Sequence, residues 1–133
     1  MTMPAEILVL ALACVLLFVH VQVAIHKKTA QYGVDWNMGP RDEDTPPLND
    51  VAARLERARD NFLETFPVAI VALFGVVLAD KSGPVTEAAA WTWLGARAVY
   101  LPLYWSGVHK WRTVVFGISA IALLVLLGVL IFG

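Results

Sequence analysis

Four polar residues, Arg54, Arg57, Asn61 and Glu64, stand 3, 4 and 3 positions apart in the middle of the chain. At 3.6 residues per turn this spacing puts them on one face of a helix. The stripe begins in a polar stretch and ends with Glu64, a turn inside an apolar run of membrane-spanning length. A carboxylate in hydrocarbon costs at least about 2.5 kcal/mol, so Glu64 must face protein or a water-filled cavity and needs a partner. Arg97, the one basic residue within another apolar run, is the expected partner. Tyr100 and Tyr104 follow Arg97 on its own face, and His109, Lys110 and Arg112 cluster just beyond. Paired arginines bind carboxylates bidentately, and Glu64 can take an ammonium group. Arg112, helped by a hydroxyl, would draw a bound thiol below its ordinary pKa of about 8.5. A zwitterionic peptide with several carboxylates fits that inventory, with a lipophilic co-substrate arriving sideways from the bilayer.

Plainer roles exist for the same residues. A Glu64–Arg97 pair can serve only to hold helices together, and Arg59 can rest on lipid phosphates. Trp105 and Trp111 fit the belt of aromatics at a membrane interface. His20 and His26 fit hydrogen-bonded packing positions, and Cys14, deep in an apolar run without a nearby base, fits a filler.

The elements that position the stripe follow from composition. The chain has 133 residues, 59% hydrophobic and 16% charged, and a mean hydropathy of +0.67. Soluble domains run near 45–50% and 25%. Disorder, nucleic-acid binding and an ordinary soluble enzyme are thereby excluded. One cysteine excludes a disulfide framework and a cysteine metal cluster, and the three histidines show no joint ligand spacing with a carboxylate. Roughly 20 apolar residues cross a bilayer core as a helix. The chain reads as an all-α, integral membrane four-helix bundle forming a single domain over residues 1–133. Its spans lie at about 5–25, 50–79 with a cytoplasmic extension, 87–105 and 113–132. The first has no basic segment before it and no small-residue cleavage site after it, so it reads as a retained helix.

Basic residues set the orientation. Lys27, Lys28, Arg41, Arg54, Arg57, Arg59, Lys110 and Arg112 belong to the face with loops one and three, against Lys81 alone on the other. Loops one and three are therefore expected in the cytoplasm, with both termini outside an inner membrane. Gly33, Gly39, Pro40, Pro46 and Pro47 should break any helix between Lys28 and Leu48. Asn49 or Asp50 can cap the next helix, Ser82-Gly83-Pro84 forms a tight turn, and Thr86 can cap the helix after it.

The run from Arg54 to Pro67 carries an Arg…Ala…Asn…Glu…Pro pattern, and Gly95-Ala96-Arg97 a Gly-x-Arg element. With four short spans, these resemble the MAPEG family, the membrane-associated proteins in eicosanoid and glutathione metabolism, in the form of its bacterial members. The resemblance implies a homotrimer with glutathione as co-substrate between neighbouring subunits, near the cytoplasmic side. Arg57, Asn61 and Glu64, continuing the stripe from Arg54, would hold the peptide's charged groups. Tyr100 and Tyr104 would line the site, Arg97 would support it, and Arg112 with the Thr113 hydroxyl would stabilise the thiolate. Two departures stand out: Phe116 replaces a tyrosine carried by several family enzymes, and Ala24 to His26 lacks their first-helix arginine.

The leading expectation is a glutathione-dependent membrane transferase or peroxidase acting on lipophilic electrophiles or lipid hydroperoxides. A non-catalytic glutathione- or lipid-binding scaffold of the same fold is the alternative. A small multidrug-type exporter fits less well, because that class needs an acid in the first span and residues 7–25 contain none. The expected partners are other copies of the chain, membrane lipids and a lipophilic small molecule, with no nucleic acid and no metal.

Overall fold

The structure, a computed structural model, describes residues 2–133. The apolar runs fall on four long helices: α1 (Ala5–Tyr32), α3 (Asp50–Leu78), α4 (Pro84–Trp105) and α5 (His109–Phe132). A short helix, α2 (Val34–Met38), lies between Gly33 and Gly39. It corrects the expectation that the glycines and prolines break all helix there. Gly33, at φ 100, turns the chain sharply, so α1 stops at Tyr32 and one turn re-forms beyond it. α1 itself runs seven residues past the apolar segment ending at Ile25. Its polar extension is held by Lys28 Nζ, 3.1 Å from Glu56 Oε2, and by Gln31, whose side chain donates to Pro47 O at 2.9 Å and accepts from Asn49 N at 2.7 Å.

Asn49 caps α3 as expected, its Oδ1 accepting from Ala52 N at 2.9 Å. α3 continues through Pro67 to Leu78 without interruption. Its buried positions, from Ala52, Leu55 and Ala58 through Phe62, Phe66 and Ala69 to Leu73 and Val76, form one stripe at helical spacing. α3 and α4 are in contact and make the centre of the bundle; α1 and α5 each pack against both and do not touch one another. Alanines at 13, 69, 72, 89, 90 and 122 line the core between Phe62, Phe66 and Trp93, where small side chains let helices approach closely. At Gly75 the approach is closest, since a Cβ there would stand 2.8 Å from Leu130 Cδ2. The opposite surfaces carry exposed apolar residues such as Phe18, Val71, Leu78, Ile121, Leu124 and Phe132. α1, α3 and α5 are long and apolar enough to cross a membrane.

The turn between α3 and α4 gathers the helix ends remote from the polar stripe. Fully buried Glu6 in the first turn of α1 accepts from Ser82 Oγ at 2.6 Å and from Thr86 Oγ1 at 2.8 Å. Thr86 Oγ1 in turn accepts from Gly83 N at 2.8 Å, which caps α4 as expected. Lys81 Nζ donates to Leu130 O at 2.8 Å, placing a cation at the negative end of α5. Replacing Glu6 with alanine takes the acceptor from Ser82 and leaves the buried Thr86 hydroxyl only Gly83 O, and should cost about 1–3 kcal/mol; glutamine, which keeps an acceptor, should cost less. Unfolding in detergent followed by circular dichroism measures both, and equal midpoints for parent and alanine variant would refute this role.

Candidate functional site

The polar stripe of α3 faces α4 and α5 across a chamber of about 450 Å³. α3 contributes Arg57, Asp60, Asn61 and Glu64, α4 contributes Tyr100 and Tyr104, and α5 contributes Arg112, Thr113 and Phe116. Residues separated by more than 50 positions are thus brought together at the end of the bundle that carries the basic residues. Asp60 is a member that the spacing argument passed over. It lies at i+3 from Arg57 and i−4 from Glu64, so the same periodicity could have found it. Part of its charge is met by Arg59, 3.0 Å away.

Tyr104 organises the two arginines of the chamber. Arg57 Nε donates to the Tyr104 hydroxyl at 3.2 Å. The Arg112 guanidinium stacks on the Tyr104 ring, its carbon 4.5 Å from the centroid. The electron-rich face of the ring attracts cations, especially where water is excluded, so one buried tyrosine holds two guanidinium groups toward the same space. Tyr100 packs edge-on against Tyr104, with centroids 5.6 Å apart. Its hydroxyl makes no hydrogen bond among the described residues, and the side chain lines the chamber.

Behind this wall lies Arg97, with 0% of its surface exposed. The expected ion pair with Glu64 does not form. Arg97 Nη1 instead donates to Asn61 Oδ1 at 2.8 Å, and its guanidinium lies 4.3 Å from the Tyr100 centroid and 5.2 Å from that of Phe62. Asn61 is one turn nearer along the stripe and fills the position between the two helices. Glu64 is exposed in the chamber with no ion pair among the described residues. Its charge is therefore open to a ligand. Arg97 Nε and Nη2, both His20 ring nitrogens and Trp93 Nε1 are buried without a protein partner. His20 packs on Phe62 with centroids 5.0 Å apart, a packing residue as expected, though one without a hydrogen bond.

Two sequence candidates stand differently from the rest. Arg54 does not line the chamber; its Nε donates to Trp105 O at 3.2 Å, neutralising the negative end of α4. Its guanidinium also covers Gly107, where a Cβ would come within 3.5 Å of Arg54 Cζ and φ is +78, so the turn into α5 requires glycine there. Thr113 lines the chamber, but its hydroxyl donates to His109 O at 2.9 Å, one turn back in α5. A hydroxyl has one proton to give, and Thr113 gives it to its own helix. No group of three or more metal-ligating side chains occurs among the described residues.

Comparison with known families matches residues 6–132 to the MAPEG family. No curated protein and no solved structure matches the chain significantly.

The Arg97–Asn61 contact yields a stability prediction. Asn61→Leu leaves a buried guanidinium without its one hydrogen bond and should cost about 2 kcal/mol, whereas Asn61→Asp supplies a charged acceptor and should be tolerated better. Thermal unfolding of both variants in the same detergent tests this, and a leucine variant as stable as the parent would be the contrary result.

Proposed function

The chain belongs to the MAPEG family, and from that premise we propose that it is a glutathione-dependent membrane transferase or peroxidase acting on lipophilic electrophiles or lipid hydroperoxides. With α1, α3 and α5 able to cross a bilayer, it is an integral membrane protein. The finer reading gives it four spans, with α4 as the fourth, and an inner membrane whose cytoplasmic side receives the chamber. In this reading the chain assembles as a homotrimer. A ligand site open on one side of a monomer gains its remaining wall from a neighbouring copy.

The observation that carries the proposal is the convergence of Arg57, Asn61, Glu64, Tyr100, Tyr104 and Arg112 on one chamber. Glutathione has two carboxylates, one ammonium and one thiol. Arg57 takes a carboxylate by charge-assisted hydrogen bonds, and Glu64, which has no cation of its own, takes the ammonium. Arg112 lies where it favours thiolate over thiol, since a nearby guanidinium lowers a thiol's pKa. The Tyr100 hydroxyl remains free to donate to the same sulfur, whereas the Thr113 proton is engaged with His109 O. In conjugation the thiol proton leaves to water, the sulfur lone pair forms the S–C bond, and the leaving group departs with its bonding electrons. In peroxide reduction the sulfur attacks the distal oxygen and the alkoxide leaves, and a second glutathione releases the product as disulfide and water.

Phe116 favours a second reading, a binding protein of the same shape without turnover, because its ring occupies a place where a further hydroxyl would face the chamber. Under that reading Phe116→Tyr should create activity from none.

Calorimetric titration of glutathione into detergent-purified protein tests the site. Glu64→Gln and Arg57→Ala should each raise the Kd about 10- to 100-fold, the worth of one hydrogen bond to a charged group. Absence of saturable binding to the parent up to millimolar glutathione would refute the site. Arg112→Ala should lower the conjugation rate with an aryl halide by about 100-fold or more, and an unchanged rate would remove Arg112 from the mechanism.

A further inference from the structure

Two acids of the chamber, Asp60 and Glu64, stand one turn apart on the same face of α3. Like charges at that spacing repel. The chamber's own arginines do not relieve them, since Arg57 Nε donates to Tyr104 and Arg112 stacks on the same ring. Arg97 is bound to Asn61. Arg59, which does not line the chamber, reaches Asp60 with Nε at 3.2 Å and Nη2 at 3.0 Å, both on Oδ1. Asp60 Oδ2 is left without a partner among the described residues. An exposed pair of this kind is worth at most about 1 kcal/mol, so Arg59 is a weak competitor for the carboxylate. Nor does α3 need an aspartate there. Aspartate is a poorer helix former than alanine or glutamate, and position 60 lies well past the first turn of a helix that begins at Asp50, where the dipole would favour an acid.

We infer that Asp60 and Glu64 together clamp the ligand's ammonium group, and that the site selects thiols with a free ammonium beside a carboxylate over N-acylated thiols. The inference rests on the proposed function, where Glu64 alone takes the ammonium, and adds a second acid and the class of thiol. An ammonium has three N–H donors, enough to bond both carboxylates at once. Side chains one turn apart have Cβ atoms about 5–6 Å from each other, close to two charge-assisted bonds of about 2.8 Å placed end to end. One nitrogen therefore spans the pair.

Arg57 fixes which ammonium this is. It lies one turn from Asp60 on the side away from Glu64, about 4.5 Å along the axis. In an α-amino acid head the ammonium and carboxylate share one carbon, so their partners must stand side by side. Arg57 and Asp60 do. Arg57 and Glu64, about 10.5 Å apart along the axis, meet such a head only through the full length of the arginine. Asp60 thus holds the ammonium where the carboxylate of the same head still reaches Arg57. An N-acyl group removes the charge and two of the donors, and leaves both acids facing it unpaired.

The test is calorimetric titration of three thiols into parent, Asp60→Asn and Asp60→Glu protein in one detergent. The thiols are glutathione, its glycyl monoethyl ester, and glutathione acetylated on the γ-glutamyl nitrogen, the last read by displacement of glutathione. In the parent the acetylated thiol should bind at least about tenfold more weakly than glutathione. Asp60→Asn keeps the side chain's size and removes its charge. It should raise the Kd of glutathione and of the ester about tenfold each, the worth of one charge-assisted hydrogen bond at an exposed site. The acetylated thiol should be unaffected, and Asp60→Glu should restore most of the affinity for glutathione.

The sign of the change separates the clamp from the general field of the chamber. Glutathione is a net anion and the ester is neutral. If Asp60 acts only by repelling carboxylates, its removal tightens glutathione, and the ester less. An unchanged or lowered glutathione Kd in Asp60→Asn would overturn the inference and leave the thiol site standing. Equal losses for glutathione and the acetylated thiol would do the same, because a structural role for Asp60 is blind to the ammonium. Failure of all three thiols to bind the parent is a different result, which refutes the proposed function and the clamp with it.

Discussion

A guanidinium sealed inside a bundle of apolar helices has to be accommodated by its neighbours, because it cannot recruit solvent and cannot shed its charge. Arg97 is in that position. The bundle answers with one hydrogen-bond acceptor, Asn61 Oδ1, and with aromatic faces from Tyr100 and Phe62. Each of those partners is thereby fixed for a second purpose. Asn61 is held at the border of the chamber, and Tyr100 is oriented with its hydroxyl unpaired. Phe62 carries the contact on to His20 of α1 and to Trp93. The chamber wall is rigid because a charge behind it permits few other arrangements.

The same constraint explains why Glu64 stands free. Had Arg97 paired with it, both charges would be satisfied internally and the chamber would present only Arg57 and Arg112 as unneutralised groups. By turning to a neutral amide, Arg97 leaves the carboxylate to face the open space. The resulting set of two guanidiniums and an uncommitted acid is suited to a ligand that carries both signs of charge. Tyr104 plays a matching part on the opposite wall, where its hydroxyl and its ring each hold one arginine.

The presence of four long apolar helices, the Asn49 cap and the shared face of Arg57, Asn61 and Glu64 were legible in the sequence, because each depends on local spacing or on a short-range hydrogen bond, whereas the one-turn α2 and the polar extension of α1 were not. The choice of partner by Arg97 was not. Asn61 and Glu64 lie on the same face, and only the depth at which α4 meets α3 decides between them. Arg54 shows the same limit, since periodicity puts it on the stripe but the nearby end of α4 captures it. Thr113 is a different case: a hydroxyl in a helix can bond one turn back, and its apparent suitability as a donor disappears once that bond forms. Glu6 escaped notice because it sits at the edge of an apolar run, and its partners, Ser82 and Thr86, are more than 70 residues away.

α5 is secured by different means at its two ends. Its final turn is gripped by Lys81 through Leu130 O and packs into the gap left by Gly75. Its first turn has no side-chain cap, but the turn from α4 leads into it, with Gly107 N and Val108 N donating to Tyr104 O and Leu103 O, and Arg112 stacks on Tyr104. Between these ends the helix packs along α4, and at the chamber Phe116 adds its ring to those of Tyr100 and Tyr104. The wall of the chamber that carries Arg112 is thus built on the turn that joins α4 to α5. One side chain, Tyr104, therefore serves the site twice, as a hydrogen-bond acceptor for α3 and as a stacking platform for α5.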